Sequence, residues 1–229
     1  MGETAIGTAL REVRERMRAA AIRAGRDAEQ VRLIAVSKTK SAHAVRAAYE
    51  AGQRDFAENY VQELVAKAEQ LRDLSELRWH MIGHLQTNKA KQVVNVVHMV
   101  QTIDSARLAA ELGRRAAAAS VRVPVLLEVN VGEEAQKSGV SGKQVGALMQ
   151  AVSEQPALQL RGLMTVPPFE LDASQTAPYF ARLRELREEL GGEGRLPELS
   201  MGMSHDFEEA IAQGATMVRV GTSIFGARG

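Results

Sequence analysis

Two cations stand in this sequence where apolar strands would not ordinarily carry them. Lys38 follows the run RLIAVS at residues 32–37, and Arg219 lies in TMVRVG (216–221), flanked by Val218 and Val220. Side chains alternate along a strand, so Lys38 is expected on the face of Ile34 and Val36. A partly desolvated amine there has a lowered pKa and can form an imine with a carbonyl compound. The bland alternative is a snorkelling lysine whose head reaches water, a reading that also suits Lys40. A guanidinium inside an apolar strand is costly unless paired, so Arg219 requires an acceptor. An ion pair with Glu128 or another inward carboxylate would be its purely structural role. A third signal is a pair of small-residue turns, Met201-Gly202-Met203-Ser204 and Gly221-Thr222-Ser223.

The elements that must position these groups alternate strand with helix. An opening helix over about 3–24 carries Ile6, Leu10, Val13 and Met17 as one apolar stripe. Strand-like runs follow at 32–37, 55–59, 77–83, 98–104, 123–131, 158–166, 196–202 and 216–221, with helical stretches between them. Gly52, Gly191 and Gly214 stand where helices should stop, and Ser105 is placed to cap one. This pattern predicts a parallel sheet with crossover helices, and eight units suit a single (β/α)8 TIM barrel with an extra N-terminal helix. An open doubly wound sheet is the alternative. No linker or low-complexity run divides the chain, so one domain over residues 1–229 is expected.

In such a barrel the functional face lies at the C-terminal ends of the strands, and polar side chains collect there in this sequence. Loops after strands seven and eight are where barrels often hold phosphate. The two small-residue turns occupy those loops, with Ser204 and Thr222 as donors. An imine-forming aldehyde, an acceptor for Arg219 and a phosphate together describe pyridoxal 5′-phosphate. A sugar phosphate held by an imine-forming aldolase meets the same demands.

Composition narrows the classes. The 229 residues carry a formal net charge of +1, which gives no global reason to expect nucleic acid or an anionic membrane as partner. Zero cysteines removes disulfides and thiolate metal sites. No stretch approaches the roughly 20 apolar residues of a membrane span, and the charged, helical N-terminus resembles neither a signal sequence nor a myristoylation site. A cytoplasmic location is expected. His80 and His84 would share a face only on a helix, whereas their segment reads as strand and turn, so no metal site is expected. Lys89 and Lys91 read as a solvated helix, ARLRELREEL as a surface helix, and Glu133-Glu134 as solvated loop.

The motifs AVSKTK, FAENYVQE, WHMIGHLQTNK, TIDS, VNVGEEAQKSG, RGLMTVPP, SMGMSHDFEEAI and MVRVGTSIFGAR span nearly the whole chain. In this order they resemble the pyridoxal phosphate homeostasis protein family, whose fold is similar to the barrel domain of alanine racemase. The resemblance implies that Lys38 forms the internal aldimine and that Asn59 lies beside the cofactor. It also implies that Arg219 faces the pyridine nitrogen and that Ser204, Gly221 and Thr222 hold the phosphate. It assigns no catalytic residue and no role to His84 or His205.

An arginine beside the ring nitrogen keeps that nitrogen unprotonated and weakens the ring as an electron sink. Racemases of similar fold compensate with a second base, a tyrosine from another domain across a dimer. This chain ends at Gly229 just past strand eight, so no such domain is expected. Tyr49 and Tyr179 read as packing, and Tyr60 as a rim residue. The expected activity is therefore carriage of pyridoxal phosphate for vitamin B6 homeostasis, by a monomer without strong turnover, with recipient apo-enzymes as partners. The alternative is a weak pyridoxal phosphate-dependent amino-acid racemase.

Overall fold

The computed structural model describes residues 4–132, 134, 138–168 and 172–227. Its strands are β1 (Arg32–Val36), β2 (Asp55–Glu58), β3 (Arg78–Met81), β4 (Val97–Ile103), β5 (Val123–Glu128), β6 (Leu158–Met164), β7 (Glu198–Ser200) and β8 (Met217–Val220). All neighbours are parallel, and β1 pairs with β8 to close the barrel in sequence order. The closed barrel, not the open sheet, is the fold.

The helices are α1 (Ala5–Arg23), α2 (Ala42–Glu50), α3 (Val61–Gln70), α4 (Ala90–Val93), α5 (Ala106–Ala118), α6 (Val145–Ser153), α7 (Ala173–Glu189), α8 (Phe207–Ala212) and α9 (Thr222–Phe225). Their ends follow local chemistry. Thr4 caps α1 by accepting from the Gly7 N–H, and Ser105 caps α5 by accepting from the Leu108 N–H. Gly52, Gly191 and Gly214 all have positive φ just past helix ends, a conformation glycine adopts without steric cost.

Two apolar layers hold the fold. Inward residues Ile34, Val36, Ala57, Met99, Leu126, Met164 and Met217 form a cluster inside the barrel. Outward strand residues pack against the helices in a larger one. Leu10, Val13 and Met17 of α1 are buried in the outer layer, each contributing about 1.5–3 kcal/mol of transfer free energy. This face fixes α1 against α2, α8 and α9, beside the β8–β1 seam. Arg26 fastens the following loop by donating to the Ile211 and Ala215 carbonyls, both at 2.8 Å.

Candidate functional site

β1 ends at Val36, two residues before Lys38, so strand alternation does not orient this lysine as its sequence position suggested. A turn does so instead. Lys38 is half-buried there, and Thr39 adopts φ 64°, a region that a β-branched residue rarely enters. The surrounding hydrogen bonds hold that conformation. Ser37 Oγ donates to Glu58 Oε1 at 2.7 Å, and the Thr39 N–H donates to Glu63 Oε2 at 2.8 Å. Lys67 Nζ joins the two sides by donating to the Ser37 carbonyl, Glu58 Oε1 and Glu63 Oε2 at 2.8, 2.7 and 3.0 Å. Both neighbours of Lys38 are therefore pinned. Burial raises the Glu58 carboxyl pKa despite the opposing bonds from Lys67 and Ser37. Lys40 reaches outward, with Nζ donating to the Ala227 carbonyl at 2.7 Å.

Arg219 is 3% exposed on β8. Its acceptors are neutral: Nη1 donates to Ser200 Oγ at 2.7 Å and Nη2 to the Thr165 carbonyl at 2.8 Å. The expected acceptors are thus present, and the alternative ion pair with Glu128 is absent among the described residues. A serine hydroxyl and a backbone carbonyl satisfy the guanidinium instead. Burial lowers its pKa to about 10, with the charges of Asp206 and Glu128 opposing, so it stays cationic at neutral pH. Glu128 faces the same interior with Oε2 unpartnered. Burial and the charge of Asp104 raise its carboxyl to about 7, with Arg219 pulling the other way.

From Arg219 a chain of hydrogen bonds runs down the barrel interior. Ser200 Oγ donates to Gln101 Oε1 at 2.6 Å, which leaves Gln101 Nε2 to donate to His80 Nδ1 at 3.0 Å. His80 then donates from Nε2 to Asp55 Oδ1 at 3.0 Å, and Arg78 grips the same carboxylate at 3.0 and 2.6 Å. Burial lowers the His80 pKa, so the ring is neutral and its tautomer is set by these partners. Burial alone would raise Asp55, but the bonds from His80 and Arg78 outweigh it and bring the carboxyl to about 2.

The two turns meet at the barrel rim. Ser204 Oγ accepts from the Gly221 N–H at 3.1 Å and the Ser223 N–H at 3.5 Å, and the Gly202 carbonyl accepts from the Arg219 N–H at 2.9 Å. A Cβ at Gly221 would stand 3.2 Å from the Val36 carbonyl oxygen, so glycine brings this turn against the end of β1. A Cβ at Gly83 would stand 2.1 Å from the Asn59 carbonyl oxygen, so glycine there lets β3 close on the Asn59 backbone. Thr222 is exposed and Asn59 half-buried.

Strands β7, β8, β1 and β2 are consecutive staves. Ser204, Arg219, Gly221, Thr222, Lys38 and Asn59 therefore share one arc of the C-terminal face, with Ile34 of β1 opposite Arg219 of β8. Other rim groups lie elsewhere: His84 pairs with Asp104 at 3.0 Å across β3 and β4. Tyr60 is 58% exposed, and Tyr49 lies under the Arg54 guanidinium. No cluster of three His, Asp or Glu suited to a metal occurs among the described residues. Glu133 lies outside them. Glu134 is half-buried, its backbone clasped by the Asn130 side chain, which a freely solvated loop would not require.

The family described as alanine racemase, N-terminal domain, matches residues 9–229. A pyridoxal phosphate homeostasis protein of Pseudomonas aeruginosa is 46% identical over 217 residues, covering 95% of this chain and 93% of its own. The relative of that name in Aquifex aeolicus is 45% identical and covers 96% of both. The chain belongs to the pyridoxal phosphate homeostasis protein family. The human member is 42% identical, covering 99% of this chain and 88% of its own.

Solved structures agree. PipY of Synechococcus elongatus, with pyridoxal phosphate bound, has 40% identity and a TM-score of 0.81, covering 93% of this chain and all of its own. A protein from Bifidobacterium adolescentis superposes at TM-score 0.90 with 39% identity, over 96% of this chain and 94% of its own. An alanine racemase of Clostridium difficile shares the fold at TM-score 0.70 with 13% identity, over 93% of this chain and 55% of its own.

Sequence reasoning passed over Lys67 and Glu63, which anchor the Lys38 turn. Their signal was available: they stand at i, i+4 in α3, with Lys67 on the helix face of the buried Val61 and Leu64. Gln101 carried no such mark.

Proposed function

We propose that this chain holds pyridoxal 5′-phosphate at the C-terminal ends of β7, β8, β1 and β2, and acts as a carrier in vitamin B6 homeostasis. One observation carries the reading. A lysine-bearing turn, a buried cationic guanidinium and a serine-linked pair of small turns share one arc of the rim. The donor set suits the cofactor: an amine for its aldehyde, a guanidinium for its ring nitrogen, and hydroxyl and backbone N–H groups for its phosphate. When bound, the cofactor supplies an electrophilic carbon and a pyridine ring that accepts electron density.

Each protein group then has a task. Lys38 provides the covalent anchor, its direction set by the Lys67–Glu58–Glu63 cluster. Arg219 spends two of its five N–H groups on Ser200 and Thr165, leaving others for the ring. As a cation it would present a proton donor to the ring nitrogen and keep that nitrogen an acceptor, a weaker electron sink than a pyridinium. Ser204, Gly221 and Thr222 would hold the phosphate, and Asn59 would lie beside the ring. A carrier needs this retention without fast chemistry, and the names of its relatives describe homeostasis. The protein is a single-domain, cytoplasmic monomer in this reading, and apo-enzymes are its recipients. No described helix is long and apolar enough to cross a membrane.

The test is exchange of the α-proton on several amino acids, followed by NMR in deuterated water. The carrier reading expects exchange no faster than with free pyridoxal phosphate. Rapid exchange that vanishes in Lys38→Ala would establish a racemase-type enzyme instead.

A further inference from the structure

At the opposite end of the barrel, one face of α1 and the starts of β1, β2 and β3 line an open cavity of about 540 Å3. Six guanidinium groups line it: Arg11, Arg14, Arg18, Arg32, Arg54 and Arg78. Only three carboxylates, Glu15, Glu29 and Asp55, share the lining. An excess of three positive charges thus gathers in one cavity of a chain whose formal net charge is +1.

The lining holds too few acids to neutralise every member of this cluster. Asp55 is 4% exposed and its carboxylate is already shared between Arg78 and His80. Arg14 has neutral partners, Gln53 Oε1 at 3.0 Å and the Ala51 carbonyl at 3.4 Å. Arg18 makes no ion pair among the described residues, and Arg32 approaches Glu198 only at 3.8 Å. Arg54 pairs with Glu76, which lies outside the cavity lining. Burial, and to a lesser degree the charge of Arg54, lower the Arg14 pKa. Met17, Val31 and Leu33 add apolar surface to the lining.

We propose that this cavity is a second ligand site, remote from Lys38, for a small phosphorylated compound. Guanidinium forks bind phosphate oxygens in pairs, and several lining one cavity favour a multiply charged group over a carboxylate. The volume is that of a small-molecule pocket, and the apolar lining accepts an organic moiety. The site is built from the first residues of β1, β2 and β3 and one face of α1, so it is independent of the phosphate turns after β7 and β8.

Calorimetric titration with pyrophosphate at low salt tests this, using protein whose rim site has been filled with pyridoxal phosphate, fixed by borohydride and freed of excess cofactor. The expected result is saturable binding at one site, weakened tenfold or more in Arg14→Gln/Arg18→Gln. Both arginines are exposed on α1, so this variant keeps the fold, as circular dichroism will confirm. Arg182→Gln, on the exposed face of α7, leaves the binding unchanged. Absence of saturable binding up to about 10 mM, or binding indifferent to the double substitution, overturns the proposal.

Discussion

Replacing Glu128 by glutamine gives a measurable consequence of the polar interior. The Glu128 carboxyl, with Oε2 unpartnered, is raised from 4.5 to about 7, chiefly by burial. At 1.36 kcal/mol per pH unit that difference corresponds to about 3 kcal/mol, and partial exposure of the side chain reduces it to about 2 kcal/mol. The sign follows from proton binding. Between pH 4.5 and 7 the folded state retains a proton that the unfolded state has released, so this group lowers stability as pH rises through that window. Buried His80 and the more exposed His98 act oppositely there, because their folded pKa values are depressed and the unfolded chain takes up the protons. The comparison must therefore be wild type against Glu128→Gln at each pH, which cancels the histidines. Urea denaturation at pH 5 and pH 8 should show the variant gaining about 2 kcal/mol relative to wild type at the higher pH. A stability difference that is the same at both pH values would refute a protonated Glu128 in this interior.

Lys67→Met should cost about 3–5 kcal/mol in chemical denaturation, because it leaves the buried Glu58 without its cation. Adding Glu58→Gln should recover most of that stability but not cofactor retention, since the Ser37 carbonyl and Glu63 remain unlinked. Gln101→Leu strands the Ser200 hydroxyl and His80 Nδ1. A loss of about 1–3 kcal/mol is expected, with a shifted visible absorption of the cofactor-loaded protein as Arg219 loses its fixed acceptor. Gly221→Ala places a methyl against the Val36 carbonyl, so equilibrium dialysis should show weaker retention of pyridoxal phosphate in a protein whose circular dichroism is unchanged.

The barrel was legible because each strand pairs an apolar run with a following helical period. Strand limits were less so, for local reasons. The run at 196–202 shortens to Glu198–Ser200 because Pro197 has no N–H for the ladder, and the run at 55–59 stops at Glu58 as Asn59 turns toward α3. Lys38 and Arg219 drew attention because cations beside apolar strands carry a desolvation cost. Their surroundings were hidden, since one acceptor of Arg219 is the Thr165 backbone carbonyl, which no side-chain pattern announces. The Lys67 contact to Ser37 likewise joins residues 30 apart in sequence, brought together only by packing α3 against β2, the neighbour of β1.

The central claim is that Lys38 is the lysine that anchors pyridoxal phosphate. Adding the cofactor to the purified protein, reducing with borohydride and mapping the modified peptide by mass spectrometry tests it most directly. The account predicts a visible absorption band abolished by borohydride, with the added mass on Lys38 and none in Lys38→Ala. Stoichiometric modification of another lysine, or no incorporation at all, would contradict it.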